Sequence, residues 1–171
     1  MNADGREIAN YVLDRSDAKG RDVTNLALQK IIYFCHVWML VEYEEPLVRH
    51  EFEAWERGPV LPYLYRDFKL HGDGKITTRA LSLNLENGQR ELAKLDFPLE
   101  RKEFIDSMID FYGRLSAFDL VKISHVVNGP WDQVWRHIGK VNPGMRINNQ
   151  VIKDFYAKEQ FPFPHEYGSL Q

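Results

Sequence analysis

Residues 26–68 read LALQKIIYFCHVWMLVEYEEPLVRHEFEAWERGPVLPYLYRDF, and this stretch decides the fold. Leu26, Leu28, Ile31, Ile32, Tyr33, Phe34, Val37, Trp38, Met39 and Leu40 cannot share one narrow stripe of a helix that turns roughly 100° per residue. A helix that is apolar nearly all round belongs in the middle of a domain, covered on several sides. The pattern predicts such a helix from Asn25 to about Val41. Thr24 is its N-cap, because a threonine hydroxyl can accept from a free N–H of the first turn. Asn25, Gln29 and His36 line up on it as one polar strip. Lys30 does not join them; it falls between Leu26, Phe34 and Val37 on an apolar face.

Glu42–Pro46 breaks this helix. From His50 to Glu56 the residues alternate, with Phe52 and Ala54 on one side and Glu51, Glu53 and Trp55 on the other, which predicts a short strand. Gly58-Pro59 is a turn, and Pro62 fits the first position of a third helix reaching about Leu70, where its missing N–H is harmless. Upstream, Ile8, Tyr11 and Val12 carry helical spacing over Asp4–Ser16, ended by Lys19-Gly20. Downstream, Leu81–Leu85 alternates with period two, preceded by Ile76-Thr77-Thr78. One or two strands are expected there, paired with the His50–Glu56 strand in a single small sheet. Asn87-Gly88 is a turn, and Gln89–Leu95 is expected as a short helix. Four more helices follow: Glu100–Tyr112, a segment capped by Ser116 and running to about Val127, one opening at Pro130, and Asn148–Lys158.

The expected class is therefore α+β: a predominantly α-helical single domain with a small antiparallel sheet, over residues 1–160. Residues 161–171 form a tail rich in proline and aromatic residues, and its prolines bar a helix. With 171 residues, 44% hydrophobic and 27% charged, the chain can bury a core without staples. Cys35 is the only cysteine, so no intrachain disulfide can form, which fits a cytoplasmic protein. The acidic N-terminus, with Asp4, Glu7 and Asp14, has no apolar stretch of the signal-peptide kind. The longest apolar run, Val37–Val41, is too short to span a bilayer, so no membrane association is expected. Net charge is −3, and the only loose basic group is Arg136, Lys140 and Arg146, so nucleic acid is a poor candidate partner.

Catalytic motifs are lacking. Cys35 and His36 are adjacent on a helix, point about 100° apart and cannot form a nucleophile–base pair. Six histidines include neither HExxH nor any pairing with CxxC, so no metal is expected. Gly72-Asp73-Gly74-Lys75 lacks the spacing and the Ser/Thr of a phosphate loop and reads as a turn. Glu51, Glu53 and Glu56 read as an acidic solvated face that would suit a basic partner surface. Lys30, on its apolar face, must snorkel to water or find a carboxylate or carbonyl partner; pairing with a carboxylate of Glu51–Glu56 would fix that strand on the central helix. His125, just before Asn128-Gly129-Pro130-Trp131, is expected to hydrogen-bond across that turn and lock two helices.

Three segments, in order, carry a family resemblance. Leu28-Gln29-Lys30-Ile31-Ile32-Tyr33-Phe34 resembles the LQKLLYFA-like helix of the Panacea domain. Phe52–Pro62, reading FEAWERGPVLP, resembles its EAW..GPV.P segment, and Tyr65-Arg66-Asp67-Phe68 matches the helix after it. Leu120 through Ser124-His125, then Pro130-Trp131, resembles its TH…PW signature, with Ser124 where threonine is usual. The resemblance covers roughly Asn25 to Phe155. It implies a mostly helical domain of bacteria and their phages, without cofactor, acting by binding and not as an enzyme. The expected partner is a toxin encoded nearby, neutralised by direct stoichiometric binding. The alternatives are SocA-type delivery of a toxin to a ClpXP-type protease, a hydrolase using His125 or the glutamates, or another phage or mobile-element interaction. Gln29, Lys30, Tyr33, Trp55, Gly58, Pro59, His125, Pro130 and Trp131 are the positions expected to build the scaffold of the recognition surface, with no catalytic role.

Overall fold

The computed structural model describes residues 2–137 and 144–158. Helix α2, Asn25–Tyr43, is the axis of the fold. Every residue from Ala27 to Leu40 is buried, as its all-round apolar sequence requires. The Thr24 hydroxyl accepts from the Ala27 N–H at 3.2 Å and caps its start. Around it pack α1 (Gly5–Ala18), α4 (Leu99–Tyr112), α5 (Ala117–Ser124) and α7 (Asn149–Lys158). Two shorter helices, α3 (Pro62–Phe68) and α6 (Pro130–Trp135), each begin with proline.

Local signals set most boundaries. Asp4 caps α1 through a capping box with Glu7, which satisfies two free N–H groups reciprocally. The Ser116 hydroxyl accepts from the Asp119 N–H at 3.0 Å and starts α5. That helix stops at Ser124, three residues short of the expected end, and Gly129 caps α6. Arg15 joins α1 to α4 through Asp106 and Asp110, at 2.8 and 2.7 Å.

The structure is the expected α+β domain, but its sheet is assembled differently. Strand β1 (Phe52–Trp55) lies between β2 (Gly58–Val60) and β5 (Arg146–Ile147), antiparallel to both. Glu53 faces Val60 on one side and Arg146 on the other. The Leu81–Leu83 strand, β3, does not join this sheet. It pairs with β4, Arg90–Leu92, where a short helix was expected. Residues 89–95 have no apolar periodicity, so cross-strand pairing decides their state. A buried asparagine ties this hairpin to α1: the Asn10 amide donates to the carbonyls of Ala80 and Ala93, both at 2.9 Å, and accepts from the Ala80 N–H at 2.8 Å. The 161–171 tail and Lys140 lie outside the described residues. Among the described residues, no helix is long and apolar enough to cross a membrane.

Aromatic rings fill the space around α2. Phe34 stacks on Tyr112 at 4.6 Å, and the Tyr112 hydroxyl accepts from the Trp38 indole N–H at 2.6 Å. Phe34 has no solvent exposure. Phe34→Ala is expected to lower unfolding free energy by about 3–5 kcal/mol, measured by urea denaturation.

Candidate functional site

The β1–β2 hairpin is held onto α2 by two polar residues that are adjacent in sequence. Lys30 Nζ donates to the Pro59 carbonyl at 2.8 Å, and Gln29 Oε1 accepts from the Leu61 N–H at 2.9 Å. Lys30 has no solvent exposure. The expected carboxylate partner is not there: among the described residues Lys30 meets a main-chain carbonyl and no acid. Glu51 and Glu53 line a groove with Arg49, Arg66 and Arg146, while Glu56 lies on a different cavity. The expected single acidic face is thus divided and interleaved with arginines. Alternation sends Glu51 and Glu53 away from the buried Phe52 and Ala54, and so away from α2.

Gly58 makes this approach possible. Its φ is +100°, and a Cβ there would sit 2.6 Å from both Lys30 Cε and Ser124 Oγ. Only glycine fits both the backbone conformation and the space. Ser124, at the end of α5, donates its hydroxyl to the Val121 carbonyl at 2.8 Å. The next residue, His125, does not hydrogen-bond across the turn. It lies flat on Trp131, with ring centroids 3.6 Å apart and 5° between planes. Its buried Nε2 has no hydrogen-bond partner among the described residues. Trp131 is positioned by Pro130 at the first turn of α6, and its indole N–H donates to the Trp55 carbonyl at 2.8 Å. The turn itself is closed by Asp132, whose carboxylate accepts from the Asn128 N–H at 2.8 Å.

Three sequence segments that lie far apart thus meet at one joint: Gln29 and Lys30 from α2, Trp55, Gly58 and Pro59 from the hairpin, and His125, Pro130 and Trp131 from the α5–α6 corner. Tyr33 stands apart from this hydrogen-bonded cluster. It is fully buried and packs edge-on against Phe34 and Phe52, at 5.3 and 5.2 Å. The polar strip of α2 is likewise internal. Asn25 donates to the Tyr65 carbonyl at 3.0 Å, and His36 meets Asn149 at 2.9 Å and the Val48 N–H at 3.3 Å.

The electrostatics follow burial. Desolvation brings the Lys30 ammonium down to about 7, close to neutrality. Desolvation lowers His125 too, with the Lys30 charge adding to the effect. Burial holds His36 near 4 and pushes the Cys35 thiol far above its usual range, which makes that sulfur a poor nucleophile. Among the described residues, no three His, Cys, Asp or Glu side chains are grouped so as to hold a metal ion.

Beside the closed joint lies an open cavity of about 210 Å³. Trp55 and Tyr65 form an aromatic corner of it, 5.2 Å apart and inclined at 63°. Leu26 and Val60 add apolar walls, Asn25 and Gln29 lie at its base, and Glu56, Arg57 and Asp73 border it. Sequence reading singled out Trp55 and Gln29 here and named Tyr65 in the helix after the hairpin, but took Asp73 for part of a simple turn. Nothing local marks the Gly72-Asp73 loop as the neighbour of a tryptophan 18 positions upstream.

The site thus joins a sealed polar joint to an aromatic recess, in a helical domain with a small sheet. The chain belongs to the antitoxin SocA-like, Panacea domain family, whose model matches residues 28–132. It is similar to Antitoxin SocA of Caulobacter vibrioides (strain NA1000 / CB15N), at 38% identity over 155 residues, 90% of this chain and 82% of that protein. No solved structure matches it.

The buried amine makes a pH prediction. Unfolded, Lys30 titrates near 10.4, well above its folded value. Between pH 7 and pH 10 the unfolded chain therefore binds one more proton at this site than the folded chain. Relative to a Lys30→Met variant, the unfolding free energy of the wild type should rise by about 1.4 kcal/mol per pH unit over that interval. Denaturation curves of both proteins at several pH values give the difference directly.

Proposed function

We propose that this chain is an antitoxin that acts in the cytoplasm by binding a partner toxin directly, one for one, without chemistry of its own. The similarity to a protein named as an antitoxin, along 90% of this chain, carries the reading. The site's chemistry agrees with it. Lys30, the residue closest to a catalytic amine, is wholly enclosed and bonded to the Pro59 carbonyl. Cys35 is equally enclosed, with its thiol held protonated. The aromatic cavity at Trp55 and Tyr65 is open, and half-buried tryptophan and tyrosine are the usual anchors of protein interfaces.

Co-expression with the adjacent open reading frame tests this. The neighbour alone should stop growth, and this chain should restore it and co-purify with the neighbour in equal amounts. A harmless neighbour would overturn the proposal. Rescue confined to cells that contain a ClpXP-type protease would replace direct neutralisation with delivery for proteolysis. Trp55→Ala should keep the fold, because the joint uses only the Trp55 carbonyl. It should restore growth at least about tenfold less well, the loss expected when an interface anchor is truncated.

A further inference from the structure

The cavity at Trp55 has a specific chemistry. Its two aromatic rings touch edge-on at 63°, so they form a corner and a group set against it meets ring surface. The indole N–H of Trp55 donates to the Glu53 carboxylate at 3.0 Å. That contact places a negative charge at the ring edge and makes the ring face a better seat for a cation. The structure's own cation–π contacts, Arg6 over Tyr63 and Arg101 over Tyr43, lie elsewhere, so among the described residues no cation is seated on Trp55 or Tyr65.

Charge at the border points the same way. Glu56 and Asp73 both line the cavity, and neither forms an ion pair among the described residues. Arg57 also lines it, and it too is unpaired, so the border keeps a net negative charge with Glu53 just beyond. At the base, Asn25 Oδ1 receives only a long contact from Gln29 Nε2, 3.4 Å, and retains acceptor capacity. An apolar occupant would gain nothing from that amide oxygen and the two carboxylates, whereas a guanidinium or ammonium could engage them together with the rings.

We infer that this cavity is the seat for a basic side chain, arginine or lysine, presented by the protein partner. The inference rests on the proposed antitoxin role for the partner's identity; the cation chemistry stands on the cavity itself. The cavity's size suits a single side chain, and the planar donor fork of arginine matches carboxylate acceptors best.

The test uses the full chain labelled with nitrogen-15 and three probes: N-acetyl-arginine methylamide, N-acetyl-leucine methylamide and N-acetyl-glutamate methylamide. The indole N–H resonance of Trp55 is the readout, and those of Trp38, Trp131 and Trp135 are the controls. The arginine probe should shift Trp55 with millimolar affinity, the range open to one side chain, and leave the controls in place. The leucine and glutamate probes should bind at least about fivefold more weakly. The paired substitution Glu56→Gln with Asp73→Asn should weaken the arginine probe by a similar factor while the control resonances stay put. Equal or stronger response to leucine, no response to arginine, or unchanged arginine binding to the paired variant would each overturn the inference. A harmless gene neighbour in the growth assay would remove the antitoxin reading and leave an observed cation site intact. Growth rescue without an arginine response would do the reverse.

Discussion

The ammonium of Lys30 has no path to water. It is carried into the core by a helix that is covered on every side, and it needs an acceptor there. A main-chain carbonyl, that of Pro59, meets the need at 2.8 Å. This hydrogen bond and the neighbouring one from the Leu61 N–H to Gln29 Oε1 set the position of the β1–β2 hairpin on α2. The hairpin can come that close only because residue 58 has no side chain and adopts φ +100°. Once it is in place, the Trp55 carbonyl is fixed as the acceptor for Trp131, and α6 is tied to the hairpin at 2.8 Å. His125 completes the corner by stacking on Trp131. A buried charge held by a single carbonyl is a costly way to join elements. Its use here links three segments that the chain itself keeps far apart.

The same joint explains how a chain without catalytic motifs can carry so pointed a sequence pattern. Gly58, Pro59, Lys30, His125 and Trp131 stand out in the sequence as separate parts of the family pattern. In the structure they enclose one another, and the cavity opens on the other side of Trp55. Trp55 belongs to both halves: its carbonyl serves the joint and its ring serves the cavity. In the proposed role, a recognition surface mounted on so enclosed a joint would have a low ordering cost on binding.

Much of this was legible in the sequence. The all-round apolar pattern of residues 26–40 placed the central helix, and Thr24, Pro62, Ser116 and Pro130 marked helix starts, because each signal acts within a turn of its own position. What failed was non-local. Residues 90–92 form a strand only because Leu81–Leu83 lies opposite. The two residues of β5 have no pattern of their own and exist as a strand by pairing with Phe52 and Glu53. A carbonyl partner for Lys30 was foreseeable in kind, but the pairing named was a carboxylate, because side chains are written in a sequence and carbonyl directions are not. Asn10, which holds the β3–β4 hairpin to α1, carried no local signal at all. Trp55, Gln29, Tyr65 and Glu56 were each named from the sequence, while their meeting with Asp73 in one cavity depends on the loop at Gly72 folding back.

The central claim is that partner binding takes place at the open aromatic cavity and leaves the Lys30 joint undisturbed. Hydrogen–deuterium exchange of the chain, free and in complex with the toxin, measures this most directly. The account predicts new protection at residues 55–57 and 72–73, with unchanged exchange along residues 28–34 and 117–124. New protection confined to other surfaces, or loosening of exchange around Lys30 on binding, would contradict it.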